Sequence, residues 1–226
     1  MTAQKKSAGR AAADLVTTGQ TVGLGTGSTV FFTLERLAER IAEEGLSVRG
    51  VPTSIDTETK AKGFGIPLAT LGEVDSIDVT IDGADEIDGA FQMIKGGGGA
   101  LLREKVVASI SSQVITVVGP DKVVATLGTT FDLPVEVVPF ARAVCERRIR
   151  ALGGEPRVRE KDGAPFVTDN SAQILDVHFP GGIADAPALE RALDEIPGVV
   201  ESGLFIGLSH VLVIGNDSGE AETRRK

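Results

Sequence analysis

The sequence predicts an α/β protein with a mainly parallel sheet covered by helices, and with a smaller α+β domain inserted near the end of the chain. Three observations predict this fold class. Short β-rich apolar runs alternate with helix-like segments over residues 21–118, which is typical of a parallel sheet with crossover helices. The order of elements changes after Leu133, and a last apolar run at residues 210–215 is one strand more than the second domain needs.

The first domain is predicted from its strands and one amphipathic helix. The predicted strands are residues 21–25, 48–52, 66–71, 77–81 and 114–118. Between the first two, residues 29–44 repeat apolar side chains at helical spacing, including Leu34, Leu37 and Ile41, which predicts a core-facing stripe. The last ten residues, DSGEAETRRK, predict a frayed polar tail.

The second domain is predicted from the succession strand, helix, strand, strand, helix, strand. Its segments are PVEVVP, ARAVCERRIRALGG, PRVRE, PFVTDNSAQILDVHF, PALERALDEIPG and VVESGLFI. This is the split order of a ferredoxin-like domain. The run HVLVIG that follows is assigned to the first sheet. We therefore expect a Rossmann-like α/β domain of residues 1–130 and 208–226, and a ferredoxin-like α+β domain of residues 131–207.

Composition excludes several classes of partner. The net charge of -9 repels nucleic acid and anionic lipid, and the chain has no Trp and no Tyr to stack on bases. Cys145 is the only cysteine, which excludes an intramolecular disulfide and a thiolate metal cluster. The N-terminal residues lack the apolar stretch of a signal peptide, and no segment is long and apolar enough to span a membrane. We expect a cytoplasmic protein with no membrane partner.

The first candidate site is GLGTGST, residues 23–29, where a predicted strand runs into a helix through glycines and hydroxyl residues. Such a turn lets the backbone approach an anion closely, and Ser28 and Thr29 can donate hydrogen bonds and cap the helix. The glycine spacing does not fit a dinucleotide-binding motif, and no lysine follows as in a P-loop. A tight turn that needs glycine only for its shape explains the segment about equally well.

The second candidate site is DGADEID, which follows the predicted strand 77–81. Asp82 and Asp85, three residues apart at the carboxyl end of a strand, can converge on one small ligand. They can equally be turn formers, because Asp favours turns through hydrogen bonds to its own backbone. The neighbouring Asp78, Glu86 and Asp88 are expected to be solvated.

The third candidate site is KGGGG, in which four glycines separate Lys95 from the next helix. Each glycine costs roughly 0.5–1 kcal/mol relative to alanine in regular structure, so the run indicates that the backbone passes close to another group. A bound ligand is the natural candidate, and Lys95 would bring a cation to its edge. In open α/β sheets, ligands bind beyond the carboxyl ends of the strands, where all three loops are expected.

Helical spacing does not single out Glu104, which lies in the first turns of the helix after the glycines. Leu102, Val106 and Ile110 fall on one predicted face, and Glu104 falls almost opposite. An exposed glutamate favoured by the helix dipole is the interpretation that spacing alone supports.

Several motifs occur together, in one order and at compatible spacing, over nearly the whole chain from about Lys5 to Gly215. They are GLGTGST, TSIDTETKAKGFGIPL, DGADEID, KGGGGALLREK, GPDKVV, LPVEVVPFAR, VTDN, ILDVHF and IPGVVESGLF. In this combination the sequence closely resembles the ribose-5-phosphate isomerases of the A type. The resemblance implies interconversion of ribose 5-phosphate and ribulose 5-phosphate in the pentose phosphate pathway, without metal or organic cofactor, in a homodimer or homotetramer.

The resemblance also implies roles for individual residues. Glu104 aligns with the family's general base. The positions that align with the sugar-binding turn and with the lysine and glycine loop are Asp82, Gly83, Ala84 and Asp85, and Lys95, Gly96, Gly97 and Gly98. Those that align with the substrate-binding turn and with a lysine near the phosphate are Thr26, Gly27, Ser28 and Thr29, and Lys122. Whether Lys5 contacts the phosphate stays open.

Two other functions remain open at this point. Another phosphosugar enzyme on a similar scaffold, such as a deaminase or lactonase, would give a different product from ribose 5-phosphate. A phosphosugar-sensing module would bind without turnover, although the acidic charge and the lack of a helix-turn-helix segment argue against it. A metal-dependent hydride shift needs histidine and carboxylate ligands, and the only histidines, His178 and His210, lie outside the three loops.

Overall fold

The computed structural model describes residues 1–226, which form six α-helices and fifteen strands. The helices are α1 (Thr2–Asp14), α2 (Ser28–Glu44), α3 (Ile55–Gly63), α4 (Leu101–Ser109), α5 (Arg142–Ala151) and α6 (Ala186–Asp194). The strands are β1 (Thr21–Leu24), β2 (Arg49–Pro52), β3 (Ile77–Gly83), β4 (Glu86–Ile87), β5 (Met93–Ile94), β6 (Ser111–Val118), β7 (Leu133–Val137), β8 (Glu155–Val158), β9 (Glu160–Lys161), β10 (Ala164–Pro165), β11 (Gln173–His178), β12 (Val199–Ser202), β13 (Leu204–Phe205), β14 (Val211–Gly215) and β15 (Ala221–Arg225). None of the helices combines the length and the apolar character needed to cross a membrane.

The chain divides into two units. The first unit comprises Met1–Ala84, Arg103–Val123 and Gly207–Lys226, and the second comprises Asp85–Leu102 and Val124–Ile206. Residues 85–102 and 124–130 belong to the second unit, whereas the predicted boundaries group them with the first domain. The boundaries of the domains as independent folding units stay a prediction.

The first unit is built on a six-stranded sheet in the order β15-β14-β6-β3-β1-β2. All neighbouring strands are parallel except β15, which runs antiparallel to β14 at the edge. The predicted mainly parallel sheet is confirmed, and so is the return of the run at residues 210–215 to this sheet, because β14 pairs with β6.

One face of this sheet packs against α1 and α2. Its buried core includes Val22 and Ile81 from the strands, Ala12 from α1 and Leu34 from α2. The predicted apolar stripe of α2 is therefore the side that faces the core.

The opposite face of the sheet carries α4. Side chains alternate between the two faces of a strand, so Gly23 and Thr80 point away from α1 and α2. A Cβ atom on Gly23 would lie 2.8 Å from Val107 Cγ1 of α4, which shows how closely this helix approaches the strand.

Two terminal elements differ from the sequence prediction. The predicted frayed tail is wrong, because residues 221–225 form β15 and pair along their whole length with β14. The turn between the two strands is stabilised by Asn216, whose Oδ1 accepts the N–H groups of Ser218 and Glu220. At the other end, α1 covers residues for which the sequence analysis made no helix prediction.

The predicted strand at residues 66–71 is also wrong. Only one bridge forms there, between Gly50 and Leu68, and the chain turns into a short 3-10 helix at Leu71–Glu73. Pro67 has no N–H to donate, so the segment cannot extend a regular ladder along β2.

The second unit contains a four-stranded antiparallel sheet in the order β12-β7-β11-β8. With α5 after β7 and α6 after β11, this is the order 4-1-3-2 of the ferredoxin-like arrangement, which is confirmed. Cys145 and Ile149 of α5 and Leu193 of α6 pack on Val135 and Val177 of the sheet. The predicted strand of residues 165–179 is too long, because only Gln173–His178 form β11, while Pro165 belongs to the β9–β10 hairpin and a turn lies between them.

The second unit also contains a three-stranded sheet in the order β13-β5-β4. Both of its strand pairs are antiparallel. This small sheet fixes the residues on either side of the β4–β5 hairpin.

Candidate active site

In the first unit, the candidate residues lie at the carboxyl edge of three neighbouring strands. Residues 26–29 follow β1, Asp82 and Gly83 end β3 and Ala84 follows it, and Lys122 follows β6. Within the parallel part of the sheet the order is β14-β6-β3-β1-β2. After β1 the chain forms β2 on one side of it and then β3 on the other side. The gap between β1 and β3 is therefore the switch point at which open α/β sheets bind ligands.

Asp82 joins the ends of β1 and β3. Its Oδ1 accepts the N–H of Thr26 at 3.0 Å and that of Gly83 at 2.7 Å, and the residue is only 4% exposed. Gly25 passes so close that a Cβ atom there would lie 2.6 Å from the Asp82 Cα. The glycine at position 25 is thus required by the approach of this carboxylate.

The Thr26 hydroxyl is held by a cluster of hydroxyl groups that the sequence analysis did not identify. It lies 2.8 Å from Thr53 Oγ1, 2.8 Å from Ser54 Oγ and 3.2 Å from Thr57 Oγ1. Thr57 Oγ1 also donates to the Gly25 carbonyl at 2.8 Å. This cluster fixes the turn after β1. Its sequence signal was the T-S-x-x-T spacing after β2, which also supplies Ser54 as the N-cap of α3.

The start of α2 presents backbone N–H groups beside exposed hydroxyl residues. The N-cap residue is Gly27, with φ 114° and no side-chain cap, so the expected capping by Ser28 or Thr29 is wrong. Ser28 is exposed and Thr29 is half-buried. The first N–H groups of a helix lack partners within it and carry a partial positive charge, which favours an anion at this position.

Lys122 ends the short 3-10 helix Pro120–Lys122. Its Nζ lies 3.8 Å from Asp121 Oδ2, and its side chain is 37% exposed. This is a weak surface ion pair that leaves the ammonium accessible to a ligand.

Glu104 is buried, so the expectation of an exposed glutamate is wrong. It is 5% exposed and shares its helix face with the buried Leu101, Val107 and Ala108, whereas Val106 is 40% exposed. The buried face of α4 consists of residues 101, 104, 107 and 108, whereas the predicted face consists of residues 102, 106 and 110. Spacing failed because leucine and valine occur on both sides of this short helix.

Glu104 and Asp82 lie on the same face of the sheet. Asp82 is two residues after Thr80 on β3, so it points to the face that carries α4. Glu104 lies one turn before Val107, near the helix N-terminus, and a helix that leads into a parallel strand begins at the carboxyl edge of the sheet. The first unit therefore places two buried carboxylates on one face and at one edge.

In the second unit, Asp85 and Lys95 occupy the open end of the β4–β5 hairpin. Asp85 precedes β4 and Lys95 follows β5, and the Asp85 N–H donates to the Ile94 carbonyl at 2.8 Å. A hairpin thus brings together two residues that are ten positions apart in the chain. Lys95 is only 4% exposed, and its Nζ lies 5.4 Å from the centroid of the Phe205 ring on β13.

The glycine loop after Lys95 contacts Asp85. The Gly97 N–H donates to Asp85 Oδ2 at 2.8 Å, and a Cβ atom on Gly97 would lie 2.7 Å from Asp85 Oδ1. The loop closes on itself through a hydrogen bond from the Gly99 N–H to the Gly96 carbonyl at 2.9 Å. The close approach predicted from the glycines is present, and at Gly97 the neighbouring group is a carboxylate of the chain itself.

Glu86 is fully buried, and the expectation that it is solvated is wrong. Its carboxylate accepts hydrogen bonds from the N–H groups of Gly128, Thr130 and Phe131 and from the Thr130 hydroxyl, at 2.5–2.9 Å. Asp88 is a turn former, since its Oδ1 accepts two backbone N–H groups of the hairpin turn. Glu86 thus anchors the loop of residues 128–131 to the β4–β5 hairpin.

Comparison with known sequences identifies the family. Residues 49–219 match the family model of ribose 5-phosphate isomerase A, also described as phosphoriboisomerase A. The chain is 49% identical over 218 residues to ribose-5-phosphate isomerase A of Bacillus mycoides, which covers 96% of this chain and 98% of that protein. It is 49% identical over 215 residues to the protein of the same name from Thermosynechococcus vestitus, covering 93% of this chain and 90% of that protein.

Solved structures agree with the sequence comparison. Ribose 5-phosphate isomerase A of Methanocaldococcus jannaschii superimposes with a TM-score of 0.93 at 39% identity, covering 98% of each chain. The ribose 5-phosphate isomerase of Plasmodium falciparum gives 0.95 at 39% identity, covering 100% of this chain and 99% of that one. A D-ribose-5-phosphate isomerase in complex with phospho-erythronic acid gives 0.94 at 32% identity, covering 98% of this chain and 97% of that one. The resemblance inferred from the motifs is confirmed, and the chain belongs to the ribose 5-phosphate isomerase A family.

Proposed function

We propose that this chain is an aldose-ketose isomerase that interconverts D-ribose 5-phosphate and D-ribulose 5-phosphate in the pentose phosphate pathway. The observation that carries the proposal is the pair of buried carboxylates, Glu104 and Asp82, on one face and at the carboxyl edge of the sheet in a chain of this family. Burying a carboxylate costs free energy. A buried glutamate in the first turn of a short helix is therefore a candidate for a functional role.

In the proposed mechanism Glu104 carries the proton. Its carboxylate removes the proton from C2 of the open-chain aldose, the electrons form an enediolate, and the same group returns the proton to C1 to give the ketose. Proton transfer between the two substrate oxygens completes the reaction, so no atom is lost and no oxidant is needed. General base catalysis of this kind contributes about 100- to 10,000-fold in rate.

The remaining charged groups act on the oxygens. Lys95 offsets the negative charge of the enediolate, and Asp82 and Asp85 hold hydroxyl groups and assist opening of the sugar ring. Support comes from how firmly each carboxylate is held, Asp82 by two backbone N–H groups and Asp85 by the Gly97 N–H. A fixed carboxylate orients a hydroxyl group better than a mobile one.

The phosphate is proposed to bind at the start of α2. Ser28, Thr29 and the adjacent backbone N–H groups provide hydrogen bonds, and Lys122 provides positive charge near the neighbouring strand end. These contacts would supply binding energy that orients the reacting end of the sugar. Since one isomerase of this fold was solved with phospho-erythronic acid, the same acid is expected to compete with ribose 5-phosphate here.

The decisive experiment compares the wild-type protein with Glu104→Gln. Wild-type protein should convert ribose 5-phosphate to ribulose 5-phosphate in a coupled assay without added metal, and a chelator should leave the rate unchanged. Glu104→Gln should lower kcat at least about 100-fold and should also stop exchange of the C2 proton with solvent.

The matched control is Glu43→Gln, which changes an exposed glutamate of the same unit and should retain the wild-type rate. Exchange at the normal rate in Glu104→Gln would remove Glu104 from the role of base. Tight binding of ribose 5-phosphate without conversion by the wild-type protein would instead identify a sensing module.

We also propose a homodimer or homotetramer. Phe140 is 99% exposed, and Val138 and Val144, close to it in the chain, are also exposed. Exposed large apolar side chains grouped in this way are typical of subunit contacts. Sedimentation velocity tests this, since a monomer at micromolar concentration would contradict it.

A further inference from the structure

Arg159 follows β8 directly, and all three nitrogens of its guanidinium group donate hydrogen bonds to groups of the second unit. Its Nε donates to Asp176 Oδ2 at 2.9 Å, and its Nη2 makes a short ion pair with Asp176 Oδ1. The arginine side chain is only 14% exposed. A bidentate pair of this type fixes the plane of the guanidinium.

The opposite side of the same guanidinium holds the glycine loop. Arg159 Nη1 donates to the Gly96 carbonyl at 2.8 Å and to the Gly97 carbonyl at 3.1 Å. A trans peptide has its C=O and N–H on opposite sides, so the Gly96 carbonyl on Arg159 directs the Gly97 N–H the other way, where it donates to Asp85. One peptide unit is therefore held between a guanidinium and a carboxylate.

We propose that Arg159 is a positioning residue for the isomerisation, holding the Lys95–Gly98 loop and, through Gly97, the Asp85 carboxylate in their reactive arrangement. The inference rests on the proposed function. Arg159 does not touch the substrate in this scheme, since its donors are occupied by Asp176 and by two carbonyl groups of the loop.

Only a guanidinium fits this arrangement. Three nitrogens in one rigid plane reach a carboxylate on one side and two successive carbonyls on the other, whereas a lysine offers a single nitrogen. Arg159→Lys keeps the positive charge beside Asp176 but loses the loop contacts. Displacement of a reacting group by about 1 Å can cost about 100-fold in rate.

The loss should fall on kcat. The groups proposed to bind phosphate, Ser28, Thr29 and Lys122, belong to other segments and keep their contacts, so KM should change little. We expect kcat to fall about 10- to 100-fold in Arg159→Lys and in Arg159→Ala, with KM within about threefold of the wild type.

Chemical rescue separates positioning from general structural damage. Arg159, Asp176 and Gly97 line a surface cavity of about 460 Å³, through which a small ion can reach the place vacated in Arg159→Ala. Guanidinium chloride at millimolar concentration, far below denaturing levels, should restore at least about tenfold in kcat to Arg159→Ala, whereas equal NaCl should not.

The control is Arg147→Ala, which removes an exposed arginine of α5 and should keep the wild-type kcat. Melting temperatures establish that the variants are folded. If Arg159→Ala does not fold, the kcat and KM of Arg159→Lys test the proposal instead. The proposal is overturned if Arg159→Lys keeps a kcat within threefold of the wild type, if the loss appears in KM instead, or if folded Arg159→Ala is not rescued. Failure of the proposed function would look different, because the wild-type protein itself would not turn over ribose 5-phosphate.

Discussion

Replacing Gly25 with alanine tests whether the contact between β1 and β3 sets the position of Asp82. The new Cβ atom would lie 2.6 Å from the Asp82 Cα and closer still to its carboxylate, whereas real Cβ atoms essentially never come within 3.0 Å of a non-bonded atom. Part of that clash is with backbone, so rotation of a side chain cannot relieve it. The Asp82 carboxylate must move by roughly 1 Å, and its hydrogen bond with the Thr26 N–H must break or lengthen.

Both activity and stability should respond. Overpacking of this kind costs typically about 1–3 kcal/mol, and about 2 kcal/mol lowers the melting temperature of a chain of this size by roughly 4–8 °C. A displacement of about 1 Å at Asp82, which is proposed to hold the substrate, should lower kcat about 100-fold. The assays are isomerisation of ribose 5-phosphate and thermal unfolding followed by circular dichroism.

Gly63→Ala is the matched control for Gly25→Ala. Gly63 is the last residue of α3, and a Cβ atom there has no neighbour within 4 Å. Its replacement should leave kcat unchanged and stabilise the protein by up to about 1 kcal/mol, because alanine favours the helix. If Gly25→Ala keeps a kcat within threefold of the wild type and an unchanged melting temperature, the carboxylate is not held by this contact.

Three further predictions concern buried or paired groups. Glu86→Gln should lower the free energy of unfolding by about 1–3 kcal/mol and speed hydrogen exchange of the Gly128 N–H, because an amide cannot accept all four donors; unchanged exchange would contradict the anchoring role. The hydrogen bond from Arg10 lowers the pKa of Glu39 from 4.5, so the stability that this pair contributes is present above pH 4.5 and is lost as the pH falls through the lower folded-state pKa. Urea unfolding should therefore show wild type and Glu39→Gln converging in acid, and a constant difference would refute this. Burial raises the pKa of the Cys145 thiol, so it should react with a disulfide reagent at pH 8 only after unfolding.

The sequence predicted the elements whose side-chain pattern has a single interpretation. The helix α2 has one apolar stripe, and the second unit has the succession of elements that is typical of the ferredoxin-like order. The position of Asp82 at the end of a strand was also predictable, because polar residues and glycines follow the apolar run of residues 77–81. The two-residue strand β5 before Lys95 was not predicted, since so short a strand leaves no repeating pattern in the sequence.

Glu104 and Glu86 could not be placed because their environment comes from distant parts of the chain. The face of α4 is decided by which residues pack under it, and leucines and valines on both sides of a nine-residue helix leave the pattern ambiguous. Glu86 can be buried because its carboxylate accepts four hydrogen bonds from residues 128–131. The local sequence around Glu86 cannot predict donors that lie more than forty positions away. Arg159 was missed for the same reason, since its partners are Asp176 and the glycine loop.

The two aspartates of the candidate site are held in the same way, although they belong to different units. Asp82 accepts the N–H of Thr26 while Gly25 passes against it, and Asp85 accepts the N–H of Gly97, which passes against it. In each case a glycine-containing loop can approach because it has no side chain at the point of contact. The presence of glycine at these two positions is therefore explained without a ligand, because each glycine allows its loop to fix a carboxylate. Each glycine loop therefore forms a pair with the aspartate that it fixes, and a substitution at Gly25 or Gly97 should have the kinetic signature of a displaced carboxylate, a loss in kcat.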